Sequence, residues 1–172
     1  MHAAPNAPSR VYLAGPDVFF PEALKSATER KDFLAGLNME GIFPLDAQDD
    51  PSAVTAASIF KANCALIDSC RAVIANITPF RGPSADVGTV WEIGYACGQG
   101  KAVAAYTANP FHYREKVFRG GWSAGPLETR DKDGHEIEHF GDVDNLMVTQ
   151  SVIAIRPTFE EAATALRRFF DR

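Results

Sequence analysis

Six residues near the middle of the chain, Ala72-Val73-Ile74-Ala75-Asn76-Ile77, are apolar but for one asparagine. A strand with one wet face alternates apolar and polar side chains. An unbroken apolar run belongs instead to a strand covered on both faces, the mark of a parallel sheet between helical layers. Short apolar runs recur at Val11-Tyr12-Leu13-Ala14, Gly41-Ile42-Phe43 and Ala102–Tyr106, with a further short strand at Val152–Ile155. Between them lie segments of helical period. Pro21 opens one carrying Leu24, Ala27, Phe33, Leu34 and Leu37, since proline suits a first helical turn. After the loop and cap at Asp49-Asp50-Pro51-Ser52, a second helix spans about 53–69. A third spans 85–99, a fourth begins at Asp142, and an amphipathic one follows Pro157. Alternating strands and helices with right-handed crossovers predict an α/β fold: a doubly wound, flavodoxin-like, five-stranded parallel sheet with helices on both faces.

The 172 residues suit one domain, at 10–172, behind a flexible tail at 1–9. Residues 107–141 have little periodicity and read as a long functional loop. A net charge of −5, with Arg167-Arg168 as the densest basic run, argues against a nucleic-acid backbone binder. No apolar run approaches the ~20 residues that span a bilayer, and residues 1–10 lack the apolar core of a signal peptide. Three cysteines, Cys64, Cys70 and Cys97, with no CxxC, make no disulfide framework. A reducing, cytoplasmic setting with buried thiols is the expectation, without membrane or nucleic-acid partners.

Ligands of doubly wound sheets bind beyond the C-terminal strand ends. Those ends here are 15–20, 44–48, 78–86 and 106–109. Glu92 is the one charge between Val87 and Cys97. On a helix, Gly88 and Ala96 lie four residues to either side, leaving a notch above the carboxylate. A glutamate is most often on a solvated face, but Val90, Trp91 and Ile93 argue for partial burial. A buried carboxylate is costly without partners or purpose. Asp86 falls at the start of this helix, where acids are favoured for capping and dipole reasons alone. It could still reach a pocket shared with Glu92.

Asp17 follows Gly15-Pro16 and precedes Phe19 and Phe20. An acid beside aromatic rings suits a planar heterocycle; a helix-start residue with a hydrophobic staple is the equal alternative. Asp46 and Gln48 form a similar polar pair at a strand end. Asn63, in a largely apolar helix, needs partners if buried. His135-Glu136-Ile137-Glu138-His139 matches H-E-x-x-H, but that zinc chemistry needs both histidines on one helical face. Gly134 and Gly141 bracket the segment, so a turn is expected and no metal.

Four blocks, in order, resemble nucleoside 2-deoxyribosyltransferases. They are Tyr12-Leu13-Ala14-Gly15-Pro16-Asp17-Val18-Phe19, Pro44-Leu45-Asp46-Ala47-Gln48, the stretch from Ala75 through Arg81-Gly82-Pro83-Ser84-Ala85-Asp86-Val87-Gly88-Thr89-Val90-Trp91-Glu92 to Ala96, and Asp144-Asn145-Leu146-Met147. The third block is the most specific. The resemblance implies transfer of 2-deoxyribose between nucleobases without a cofactor, with deoxynucleosides and free bases as partners. It implies that Glu92 is the nucleophile, that Tyr12 holds it, and that Asp86 lies in the sugar pocket. Asp17 and Gln48 then fall among the base-pocket residues. Asn145 and Met147 match a pair that reaches a neighbouring subunit's site, implying a homo-oligomer, dimer or hexamer. The loop Pro16–Phe20 is similar to that of purine-preferring members. Many members carry an aspartate just before the third strand, proposed to help protonate the base. Arg71 stands there in this chain, and Asp17 or Asp46 is expected to take over the base contact.

Two other readings follow. A deoxynucleoside 5′-monophosphate hydrolase on the same fold should carry extra donors near the 5′ end, where this first loop has an acid and aromatics. A non-catalytic nucleoside-binding module has no need of a lone carboxylate in a notch.

Overall fold

The computed structural model describes residues 7–47 and 54–172. Five strands, β1 (Ser9–Ala14), β2 (Met39–Ile42), β3 (Ala72–Asn76), β4 (Ala102–Tyr106) and β5 (Ala154–Arg156), form one sheet in the order β2-β1-β3-β4-β5. Every pairing is parallel, with Val11 opposite Ala72 and Ala72 opposite Ala102. The doubly wound, flavodoxin-like expectation stands. Six α-helices lie among the described residues: α1 (Ala23–Gly36), α2 (Ala56–Ser69), α3 (Val87–Gly98), α4 (Tyr113–Arg119), α5 (Leu146–Thr149) and α6 (Phe159–Phe170).

Successive strand residues point to opposite faces, and this parity divides the core in two. Val11 and Leu13 of β1, Ala72 and Ile74 of β3, and Ala104 of β4 pack with Leu34 of α1 and Ala162 and Leu166 of α6. Tyr12 and Ala14, Val73 and Ala75, and Val103 and Ala105 pack with Ile67 of α2 and Ile93 and Ala96 of α3. Ala96, expected in the notch beside Glu92, is therefore core.

Local chemistry sets several boundaries differently from the sequence reading. Pro21 lies in a turn two residues before α1, after a 3-10 turn at Pro16–Phe19. The cap of α2 is Thr55, whose hydroxyl accepts from Ser58 N while Ser58 Oγ accepts from Thr55 N, a reciprocal capping box. The loop and cap expected at 49–52 lie outside the described residues, as do residues 1–6 of the expected tail; β1 already begins at Ser9. The stretch 107–141 is not structureless: it holds α4, with Lys116 and Val117 buried, and a bridge between Arg130 and Glu136. The helix expected from Asp142 shrinks to the four residues of α5, because Asn145 caps it late and the chain leaves at Gln150 to pair β5 with β4. Cys70 is buried, but Cys64 is half-buried and Cys97 exposed near the end of α3, so the thiols are not uniformly buried. No helix among the described residues is long and apolar enough to cross a membrane.

Candidate active site

The strand order reverses direction at β1, which sends β2 to one side and β3 to the other. The crevice beyond that switch point is where a doubly wound sheet holds its ligand. A cavity of about 350 Å³ opens there, lined by Gly15, Val18, Phe19, Pro44, Leu45, Ile59, Asn63, Asp86, Gly88, Thr89 and Glu92. A larger cleft of about 710 Å³ along α6 carries Glu160 and Glu161, but both are exposed on a helix face. Chemistry rather than size singles out the smaller cavity.

Glu92 and Asp86 are the carboxylates of its lining. Tyr12, fully buried on the α3 side of β1, donates its hydroxyl to Glu92 Oε1 at 2.6 Å. Burial pushes the Glu92 carboxyl up to about 7; the Tyr12 hydrogen bond opposes that rise and the nearby Asp86 charge adds to it. The Tyr12 phenol is itself driven well above its ordinary range, first by burial and then by Glu92, so it remains a donor. Asp86 caps α3, its Oδ2 accepting from Thr89 N at 3.1 Å. A Cβ at Gly88 would come within 3.0 Å of that same oxygen, so glycine keeps the mouth above Asp86 open.

Two walls close over the carboxylate. The first loop supplies Val18 and Phe19, and Phe19 stacks on Phe80 with ring centroids 5.5 Å apart. The Arg81 guanidinium lies over both rings, at 5.1 and 4.6 Å. Phe20 meets Phe80 edge-on at 6.2 Å, outside the lining. The second wall is α2, where Ile59 and Asn63 share a face one turn apart. Pro44 and Leu45 bridge the two.

Not every residue expected at the site lines the cavity. Asp17 is 4% exposed and sits behind the first loop. Its Oδ1 accepts from Arg30 at 2.8 Å and its Oδ2 from Asn76 at 3.0 Å. A Cβ at Gly15 would collide with that carboxylate and come within 2.9 Å of Asn76 Cβ, so glycine lets the loop close against it. Asp46 turns outward, accepting from Lys31 at 2.6 and 2.8 Å and from Phe43 N at 2.8 Å. Gln48 lies outside the described residues. Asn145 caps α5 and donates to Glu138 Oε1 at 2.5 Å, and Met147 is exposed; neither lines this cavity within the chain. Arg71 precedes β3 at the N-terminal end of the strands, opposite the cavity, bonded to Ser9 and stacked on Phe170. Asn76 closes β3 at the cavity end of the sheet but by parity faces the α1–α6 layer, a buried polar group that its own apolar run disguised. Ile59, Leu45 and Thr89 were also missed; only the i, i+4 spacing of Ile59 and Asn63 hinted at a shared face. His135 bonds Asp131 at 3.2 Å in a turn, and the H-E-x-x-H segment is not helical.

The parallel sheet with its switch-point cavity, together with the family and neighbours it matches, indicates an enzyme that transfers or releases a glycosyl group. The chain belongs to the nucleoside 2-deoxyribosyltransferase family, whose model matches residues 11–147. A 2-deoxyribosyltransferase from Leishmania mexicana superimposes with a TM-score of 0.76 at 28% identity, covering 94% of this chain and 98% of that one. A Bacillus psychrosaccharolyticus 2-deoxyribosyltransferase shares the fold, with a TM-score of 0.58 at 21% identity over 90% of each chain. An uncharacterized protein of Schizosaccharomyces pombe is 36% identical over 121 residues, 67% of this chain and 57% of that protein. The chain thus spans less than two thirds of that relative.

Proposed function

We propose that the protein transfers 2-deoxyribose from a 2′-deoxynucleoside to a second nucleobase, with purines as the preferred bases, through a covalent ester on Glu92 and with retention at the anomeric carbon. The observation that carries this reading is the Tyr12–Glu92 pair at 2.6 Å beneath a cavity of about 350 Å³, a size within the range of small-molecule clefts.

Retention requires two displacements. In the first, a Glu92 oxygen attacks the anomeric carbon as its bond to the base nitrogen breaks. The electron pair leaves with the base, which takes up a proton. In the second, the nitrogen of the incoming base attacks the same anomeric carbon, the bond from that carbon to the Glu92 oxygen breaks and returns the carboxylate, and the nitrogen loses its proton. A 2-deoxy sugar lacks the electron-withdrawing 2-hydroxyl, which makes the oxocarbenium-like transition state easier to reach. Tyr12 aims one Glu92 oxygen and leaves the other free to attack. Asp86, beside Gly88 at the mouth, is suited to a sugar hydroxyl. The Phe19 ring, braced by Phe80 and Arg81, is suited to stack a base. Asp17 enters as the group that shapes the base side through Gly15 and Asn76. Asn145 and Met147 enter as contributions to a neighbouring subunit's site in a homo-oligomer.

Incubation with deoxyinosine and adenine should yield deoxyadenosine, and Glu92→Gln should abolish it while folding is retained. With donor alone, a deoxyribosyl mass increase should map to the peptide carrying Glu92. Full turnover by Glu92→Gln would remove the nucleophile assignment. Base release without transfer would favour the hydrolase, and faster exchange between cytosine and thymine than between purines would remove the purine preference.

A further inference from the structure

Asp144 is 1% exposed and belongs to no wall of the catalytic cavity. Its Oδ2 accepts from Ala85 N at 2.9 Å, and its Oδ1 accepts from Ser84 Oγ and from Asn145 N, the latter at 2.7 Å. One carboxylate therefore joins two segments that are 60 residues apart in the chain. Ser84 and Ala85 lead directly into Asp86 and the first turn of α3. Asn145 caps α5 and begins the segment that carries Met147.

A carboxylate this deep needs hydrogen bonds and compensating charge. Three donors supply the bonds. Lys116 of α4 supplies the charge: its side chain is 3% exposed and its Nζ lies 3.9 Å from Asp144 Oδ2. That distance is beyond a hydrogen bond, and Nζ has no other partner among the described residues, so its contribution is electrostatic. The fold has placed a buried ion pair where an apolar pair of similar volume would hold the elements together as well or better. What an apolar pair cannot do is direct three donors. Two of them set where the backbone turns into α3.

We propose that Asp144 is a positioning residue for the site: by holding Ser84 and Ala85, it sets the entry of α3, and with it the placement of Asp86 at the sugar and of Glu92 two turns further along. This rests on the reading of Glu92 and Asp86 given above. The loop from Thr78 to Ser84 contains Pro79, Arg81 with φ 57° and Pro83. Left-handed backbone at a non-glycine residue is strained, so an external tether is needed to keep the loop in one arrangement. The Asp144 carboxylate provides it without lining the cavity.

Ser84→Ala removes one tether and leaves the carboxylate and both backbone donors in place. Ser84→Thr keeps the hydroxyl. The expected result is a fall in kcat of roughly five- to tenfold for Ser84→Ala, a part of the worth of one hydrogen bond to a charged group, with KM little changed and the Thr variant close to wild type. Asp144→Asn should fall further, because its amide nitrogen must face a donor. Leu166→Ala, on the opposite face of the sheet, serves as the stability control and should leave kcat per folded molecule unchanged. A second readout does not depend on the reaction: amide hydrogen exchange over 86–92 should speed up in Ser84→Ala and not in Leu166→Ala. Unchanged exchange there, or a loss of kcat matched by Leu166→Ala at equal stability, would overturn the proposal. If wild type shows no glycosyl transfer or release while exchange over 86–92 still responds to Ser84→Ala, the functional reading has failed and the tether stands.

Discussion

At the scale of single residues, the proposed chemistry is testable through the ionisation of Glu92 and its contact with Tyr12. Glu92 has a native pKa of about 7 against an ordinary 4.5. Below pH 4.5 both folded and unfolded states hold the proton. Between 4.5 and 7 the unfolded chain ionises first, so stability is lost as pH rises, and it stays lost above 7. Glu92→Gln has nothing to titrate. In urea unfolding it should gain about 1–3 kcal/mol over wild type at pH 8, and the gain should shrink towards pH 4.5. Attack requires the ionised carboxylate, so kcat/KM should rise with pH up to about 7 and then level. Tyr12→Phe removes the hydrogen bond that holds that value down. The limb should move to higher pH, and kcat/KM at pH 7 should fall roughly tenfold. An unmoved limb would mean that another group governs it. Glu92 was legible because one charge in eleven residues beside Gly88 is a pattern. Asp17 shows the limit: an acid before two phenylalanines reads equally as a base contact or a buried anchor, and only Arg30 and Asn76, 13 and 59 residues away, reveal how its oxygens are engaged.

At the scale of elements, the strands were the most legible because double burial writes itself as continuous apolar residues; β4 falls at Ala102–Tyr106 as read. Boundaries governed by side-chain capping were less so. The capping box at Thr55 and Ser58, rather than the acids before it, starts α2. Asn145 delays α5 until only four residues remain before β5 departs. The helix α4 escaped notice because seven residues show barely two turns of period, and its burial depends on Asp144 waiting beneath Lys116. Such short elements are defined by what they pack on rather than by their own pattern.

At the scale of the whole molecule, the sheet separates folding from chemistry. The α1–α6 face holds Leu34, Phe159 and Leu166, with the cavity residues Val18 and Leu45 packed at its rim, whereas the α2–α3 face carries Tyr12 and Glu92. Leu166→Ala should therefore cost about 2–5 kcal/mol of stability while KM and kcat of the folded fraction stay near wild type. A large change in KM would show that the two faces are coupled. The fold class and the position of the crevice were legible in the sequence, and Glu92 stood out there as the proposed nucleophile, because hydrophobic period, strand parity and family blocks are all local in the chain. Which polar residues meet is set by the folded chain, and of these pairings the family blocks implied one, Tyr12 with Glu92. Tyr12 finds Glu92 across 80 positions because even-numbered residues of β1 face α3. Asp17, Asp46 and Asp144 each take partners that no local spacing announces, since a carboxylate's role is set by whichever donors the folded chain brings within hydrogen-bond reach.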